Sequence, residues 1–295
     1  MNRRTFAELM AGLGGVLVAP AATLARQAHP ANERAGSATP EPAWPTLDVE
    51  MTDSGFVFPP TILAGRTALR VRNTGTRGDD AHWALGRLPD GATDAAMAEL
   101  MSAPDGTPTT LHWEQIGFVG VPDWPRPGGD AVSGIVDLHP GRYVAFAPIS
   151  DRETVLLDVG GTFSPGASPD ATVDVDLHDY TITLPDSART SRPVRWQITN
   201  TGGTLHEVAI VATPEDFTPD DLIAMLMLPE GATPAPEMPV IDFSPVAAIG
   251  MLGLATTTWL DVRLDPGHYL AVCMLPFGSG RPHVMDGMSA SFTVP

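Results

Sequence analysis

Cys273 is the only cysteine in the 295 residues, and it opens a segment that reaches His283 and Met288 with the spacing Cys-x9-His-x4-Met. His206 stands about 67 positions upstream, directly after Asn200-Thr-Gly-Gly-Thr-Leu. Thiolate and thioether are soft donors that prefer copper to hard cations, and imidazole suits copper in both oxidation states. One thiolate, two imidazoles and one thioether make the donor set of a blue-copper electron-transfer centre. A lone cysteine forms no internal disulfide, so its place in an exported chain needs another reason. The bland alternative is a small buried hydrophobe at the end of an apolar strand. Three further donors in register favour the ligand reading.

Such a centre demands a closed loop. Sulfur and imidazole must both come within about 2 to 2.3 Å of one ion, so the nine residues between them must fold back. Pro276, Gly278, Gly280 and Pro282 are the residue types that bend and stiffen such a turn. Asp286-Gly287 then returns the chain so that Met288 can approach as a weak axial ligand. Met285 is the rival for that role, and the four-residue spacing favours Met288.

The elements that must carry these donors read as strands. Thr67-Ala-Leu-Arg-Val-Arg-Asn and Pro193-Val-Arg-Trp-Gln-Ile-Thr alternate apolar and polar residues, the pattern of a half-buried strand. Pro-Gly before Tyr143 and before Tyr269 turns the chain tightly into a closing strand. Two short helices interrupt the pattern. Thr218-Pro219-Asp220-Asp221 caps one ahead of Leu222 to Leu228, and Thr93-Asp94 caps the other ahead of Ala95 to Met101. The methionines of the first-mentioned helix read as packing.

An internal repeat divides the chain. Leu47-Asp-Val-Glu-Met, Leu69-Arg-Val-Arg-Asn73-Thr-Gly75, His82 and Leu138-His-Pro-Gly141-Arg-Tyr143 form one copy. Val173-Asp-Val-Asp-Leu, Val194 to Asn200-Thr-Gly202, His206 and Leu264-Asp-Pro-Gly267-His-Tyr269 form the other. Both also carry Leu-Pro-acid-Gly-Ala-Thr (from Leu88 and Leu228) and a Gly-x-x-Gly pair, Gly117/Gly120 and Gly250/Gly253. Matches in one order imply duplication of a unit of roughly 115 to 125 residues. The expected division is a signal peptide over 1–25, a flexible spacer over 26–45, one sandwich over 46–160, a linker over 161–171 and a second sandwich over 172–295.

Asn2-Arg3-Arg4-Thr5-Phe6, the apolar run from about Leu9 to Ala22 and the small-residue site Ala19-Pro20-Ala21 resemble a bacterial twin-arginine export signal. The run is shorter than the ~20 residues of a membrane span, and no later segment is long and apolar enough to span. The expected location is therefore periplasmic or extracellular. Thirty prolines, 29 glycines and no lysine accompany a net charge of −18. Such acidity repels nucleic acid and anionic lipid and favours cationic partners.

On these residues the second copy resembles a cupredoxin, the plastocyanin-type copper domain. Asn200, Gly202, His206, Gly267, Tyr269, Cys273, His283 and Met288 stand in that family's order, and the Cys-to-His loop is most similar to that of copper nitrite reductases. The resemblance implies an all-β chain of two tandem Greek-key sandwiches, with one type 1 copper held by His206, Cys273, His283 and Met288. It also implies electron exchange with a cationic redox protein, docked on an apolar patch of Leu275, Pro276, Phe277, Pro282, Val284 and Met285 through which His283 reaches the surface.

Departures from the pattern narrow this. Val272 stands where nitrite reductases place the histidine that leads to a second, catalytic copper, so an electron carrier is expected rather than an enzyme. Ala147 replaces the cysteine in the first copy and only His82 survives there, so that copy reads as metal-free and His82 as a satisfied core histidine. Glu207 occupies the place of a family Asn, which leaves the bond between the two ligand loops in question. Two other function classes stay open: a metal-free extracytoplasmic binding module, and a carrier that holds Cu(I) without cycling.

Overall fold

In the computed structural model, residues 44–76, 78, 81–103, 107–148, 153–228, 243–277 and 280–295 are described. The expected signal, nearly all of the spacer and most of the second Leu-Pro-acid-Gly-Ala-Thr stretch lie outside them. The described chain is mostly β, with two α-helices.

Its first half contributes β1 (Thr46–Met51), β2 (Phe56–Val57), β3 (Ile62–Leu63), β4 (Gly65–Asn73), β5 (Ala84–Arg87), α1 (Asp94–Ser102), β6 (Gly117–Phe118), β7 (Val132–Leu138), β8 (Gly141–Phe146) and β9 (Val155–Gly160). The second contributes β10 (Val173–His178), β11 (Thr181–Thr183), β12 (Val194–Asn200), β13 (His206–Thr213), α2 (Pro219–Leu226), β14 (Ala247–Leu252), β15 (Thr257–Val262), β16 (Gly267–Val272) and β17 (Ser289–Val294). Both helices start where their caps stand. The Thr93 hydroxyl accepts from Ala96 N, and Thr218 and Asp221 form a reciprocal capping box.

The two halves pair their strands alike. β1 runs parallel to β4 as β10 does to β12, and β4 pairs antiparallel with β7 as β12 does with β15. Those strands join into a single eight-stranded sheet, ordered β11-β10-β12-β15-β7-β4-β1-β2. Each half adds a sheet of its own, β3-β9-β8-β5-β6 in the first and β14-β13-β16-β17 in the second. Between the halves the 161–171 stretch holds no helix or strand.

At the junction, residues meet their own counterparts in the repeat. Gly134 pairs with Leu260 and Val119 with Leu252. Gly120 N–H donates to Met251 O, and its counterpart Gly253 N–H donates to Phe118 O, at 2.9 and 2.8 Å. Such self-complementary pairing is what an approximate two-fold axis requires. It also explains three of the four glycines of the Gly-x-x-Gly pairs, Gly120, Gly250 and Gly253. A Cβ at Gly250 would lie 2.4 Å from Trp83 O, and one at Gly120, where φ is +68°, would lie 2.6 Å from Leu252 Cδ1. Backbone at Gly250 and Gly253, and a side chain together with the left-handed φ at Gly120, leave no room for a Cβ.

Strand periodicity then aims the candidate ligands. β16 is apolar on both faces, as suits a central strand covered on two sides. Tyr269, Ala271, Cys273 and Leu275 enter the core that the two halves share, whereas Leu270, Val272 and Met274 pack beneath α2. Val272 thus faces away from Cys273, into the α2 cluster.

Candidate metal centre

The turn after β12 delivers the first histidine. Asn200, fully buried, donates through Nδ2 to Thr204 O at 2.8 Å and Leu252 O at 3.0 Å, and its Oδ1 accepts from Gly202 N at 2.9 Å. This clamp fixes the chain just before His206, the first residue of β13. Gly202 has no side chain because a Cβ there would lie 2.9 Å from His206 Nε2.

The later stretch closes as the spacing requires. His283 N–H donates to Leu275 O and Val284 N–H to Cys273 O, at 3.0 and 2.9 Å, so the loop folds back on its own stem. Gly280 N–H bonds Pro276 O inside the loop. A single-turn 3-10 helix over His283–Asp286 ends at Gly287, whose φ of +99° is readily available only to glycine. Met288 follows, its N–H bonded to His283 O and its carbonyl to Cys273 N–H.

Three donors converge. One ligand atom each from His206, Cys273 and His283 lie within 4.8 Å of one another, and all three residues are buried. The two Nδ1 atoms are 3.2 Å apart, and Cys273 Sγ is 3.4 Å from His283 Nδ1. His283 Nε2 faces Phe277 O, and a carbonyl can only accept, so Nε2 carries the proton. In the neutral ring Nδ1 is then a lone pair aimed into the cluster. His206 Nε2 is buried with no hydrogen-bond partner among the described residues.

The electrostatics suit a cation. Burial, reinforced by His283, lowers the His206 pKa to about 4, and burial lowers that of His283 too. Both rings are therefore neutral, the ligating form, across the physiological range. Burial pushes the Cys273 thiol up, and the Glu207 charge adds to this, while the Glu207 N–H at 3.5 Å from Sγ acts the other way. The thiol stays protonated until a cation displaces its proton, as coordinated thiols do. A soft thiolate beside two neutral imidazoles, shielded from water, fits a cupredoxin-like copper site.

Met288 is fully buried in the apolar cluster that also holds Cys273 and Leu275, whereas Met285 is half-buried against the cluster beneath α2. The expected exposure of His283 is not found. The residue is 0 % exposed, and Leu275, Pro276, Pro282 and Val284 are buried with it. Tyr180 meets its ring edge-on at 4.7 Å, and Phe277 packs against Trp113 of the first half at 6.0 Å. The second half alone suggests an open patch, which the first half helps to close.

Sequence reasoning left the bond between the ligand loops in question, and Glu207 supplies one. Its Oε1 accepts from Met274 N–H at 3.1 Å, next to Cys273. Its Oε2 faces His82 Nε2 at 3.5 Å, and the other ring nitrogen of His82 bonds Asp123. Asp123 Oδ1 also accepts from Trp83 N and Trp124 N. Burial alone would lower the His82 pKa, but the charge and hydrogen bond of Asp123 and the charge of Glu207 outweigh it, raising the value to about 9. Burial raises Glu207 to about 7. His82 is a buried histidine as expected, hydrogen-bonded through Nδ1 to Asp123, while its Nε2 makes no hydrogen bond among the described residues and lies within ion-pair distance of Glu207. Asp123 was missed, since an acid after Val121-Pro122 carries no pattern, and the replacement at Glu207 was the available signal.

No protein-family model matches the chain, and no curated protein matches it. Among solved structures, auracyanin B is similar at 21% identity over 44% of this chain and 92% of that one, with a TM-score of 0.28. Reduced auracyanin from Roseiflexus castenholzii shares 21% identity over 43% of this chain and 99% of that chain, with a TM-score of 0.26. Copper nitrite reductase from Nitrosomonas europaea matches over 85% of this chain and 93% of its own, at 12% identity and a TM-score of 0.24.

Proposed function

We propose that this chain is an exported, cupredoxin-like copper protein that carries one electron at a single type 1 centre. His206, Cys273 and His283 would hold the ion, with Met288 as the weak axial ligand. The observation that carries this reading is the dry convergence of two Nδ1 atoms and one sulfur from two distant stretches of chain. A bound copper would supply one-electron chemistry between Cu(I) and Cu(II). This chain's own residues do the rest. The Phe277 carbonyl holds the His283 tautomer, the Glu207 N–H supports the sulfur, and the Asn200 clamp places His206. Met288 rather than Met285 would supply the thioether, because it shares the cluster of Cys273 and Met285 does not.

With His283 covered, electrons would pass through the thin layer formed by Phe277 and Tyr180. The net charge of −18 would draw a cationic redox protein to that face. The Arg3-Arg4 leader would deliver the chain across the membrane and then be removed. The visible spectrum of the purified chain with Cu(II) tests the central claim. An intense copper–thiolate band that vanishes in Cys273→Ser supports it. A colourless complex of undiminished affinity points instead to a Cu(I) carrier, and no binding at all refutes the reading.

A further inference from the structure

We propose that His82, held by Asp123, positions Glu207 and through it the Met274 peptide beside Cys273, so that the first half of the chain braces the metal loop of the second. The inference rests on the copper reading for its significance, and on geometry for its existence. By strand register His82 is the first-half counterpart of Glu207 rather than of His206, since Ala84 pairs with Phe146 as Ala209 does with Val272. Its ring has a carboxylate on each side: Nδ1 hydrogen-bonds Asp123, and Nε2 lies 3.5 Å from Glu207 Oε2, an ion-pair contact rather than a hydrogen bond. The opposite oxygen of Glu207 accepts the Met274 N–H, and the Glu207 N–H approaches the Cys273 sulfur. A chain of buried polar contacts thus runs from the 121–124 segment of one half to the sulfur of the other.

A second contact supports the same loop. Trp124 stacks on His82 at 5.9 Å and packs against the cluster containing Met274 and Val284, the residues that follow Cys273 and His283. The 121–124 segment is itself pinned to β14, with Asp123 N–H on Ala248 O and Gly250 N–H on Val121 O. The group is no second metal site, because the two carboxylates occupy opposite nitrogens of one ring and do not meet at a common point. Outer partners of this kind orient ligands and commonly change metal affinity by roughly 10- to 100-fold.

The test uses two variants of the full chain that divide the ring's contacts. His82→Gln keeps a donor with the reach of Nε2, towards Glu207; His82→Asn keeps only a donor with the reach of Nδ1, towards Asp123. In the metal-free protein, Met274 amide exchange should quicken about tenfold or more in His82→Asn and stay near wild type in His82→Gln. Cu(II) affinity should fall by about tenfold in His82→Asn only, and the reduction potential should shift in that variant only. Should His82→Asn not fold, Asp123→Asn, which loosens the ring without removing it, should give a smaller acceleration. The brace is refuted if His82→Asn (or Asp123→Asn in its place) and His82→Gln both match wild type. It is equally refuted if the remote core change Leu85→Ala accelerates Met274 exchange as much. Wild-type protein that takes up no Cu(II) yet shows the expected exchange pattern would keep the brace and discard the copper function.

Discussion

The two halves build the same corner and put it to different uses. Asn73 and Asn200 are both fully buried, and each accepts from the N–H of the glycine two residues on while donating to a distant carbonyl. Each clamp leads to a buried histidine, but by register only His206 lies on the face of the closing strand that carries Cys273, or Ala147 in the first half. In the second half that strand ends in Cys273, and the next loop returns His283. In the first half it ends in Ala147, buried in an apolar cluster with Trp83 and Tyr143. The scaffold that positions a ligand is thus separable from the ligand. In the first half the register sets Ala81 in the place of His206 and Ala147 in that of Cys273, while His82 stands in the place of Glu207 and is bonded to Asp123.

The sharpest way to break this comparison is to remove the sulfur. Cys273→Ser leaves the second half with a hard oxygen between two imidazoles and, like the first half, with no thiolate. Copper affinity should drop by more than the roughly 10- to 100-fold typical of outer-sphere changes, and the thiolate band should disappear. Copper titration followed by visible absorption reads both. Retention of either would detach Cys273 from the centre.

Next in size is a pH contrast between the buried histidines His206 and His82, read as the pH dependence of unfolding free energy in metal-free protein. His206 has a folded pKa of about 4, below its unfolded value of about 6.5. Between those values the unfolded state binds more protons, so this group makes stability rise with pH through that window. His82, at about 9, does the reverse: its contribution is complete below about 6.5 and is lost as pH rises through 9. Each is worth about 3 kcal/mol at most, at 1.36 kcal/mol per unit of pKa. Glu207, raised to about 7, makes stability fall from about 4.5 to 7 and opposes His206 there. The comparison is therefore made against His206→Gln and His82→Gln. The first variant should lose the acid-side rise and the second the alkaline-side fall. Slopes of one sign in both would contradict the contrast.

How much of this was legible in the chain depends on whether a feature is local. The four candidate ligands, the Asn clamps, both helix caps and the strand alternation are short-range patterns of residue type, and the structure places the three nitrogen and sulfur donors together as their order implied. The eight-stranded sheet was not legible. It depends on which strand edges meet, and the Gly-x-x-Gly pairs that permit the contact read as repeat landmarks until their missing Cβ atoms are set against Trp83 O and Leu252. The burial of His283 was misjudged for the same reason. Leu275, Pro276 and Val284 look like an exposed patch when one half is considered alone, and Trp113, packed on Phe277, comes from the other. Asp123 and its bond to His82 are likewise contacts across about 40 residues that no spacing rule anticipates.

The clamps offer a subtler test. Asn73→Ala and Asn200→Ala each strand buried backbone partners, and each should cost about 1–3 kcal/mol in denaturant unfolding. The stability losses should be similar, because the bonds are similar. Copper affinity should separate the pair, falling by up to about tenfold in Asn200→Ala and unchanged in Asn73→Ala. Equal losses of affinity would mean that the first clamp reaches the metal loop too, through the His82 contact.

The smallest effect is expected from restoring what the first half lacks. Ala147→Cys puts a sulfur at the counterpart of Cys273, facing the strand end as its partner does. The site is 0 % exposed, so the added atom must displace well-packed neighbours at about 1 kcal/mol or somewhat more. It should not create a second copper site. His82 lies on the opposite face of the β5–β8 pair with Nδ1 bonded to Asp123, and the residues that follow Ala147, Pro148-Ile149-Ser150-Asp151-Arg152, contain no histidine or methionine. Copper per chain and the visible spectrum should therefore match the unmodified protein. A second equivalent of tightly bound copper would show that the scaffold alone recruits ligands, and that the loop after the cysteine matters less than its nine-residue closure in the second half suggests.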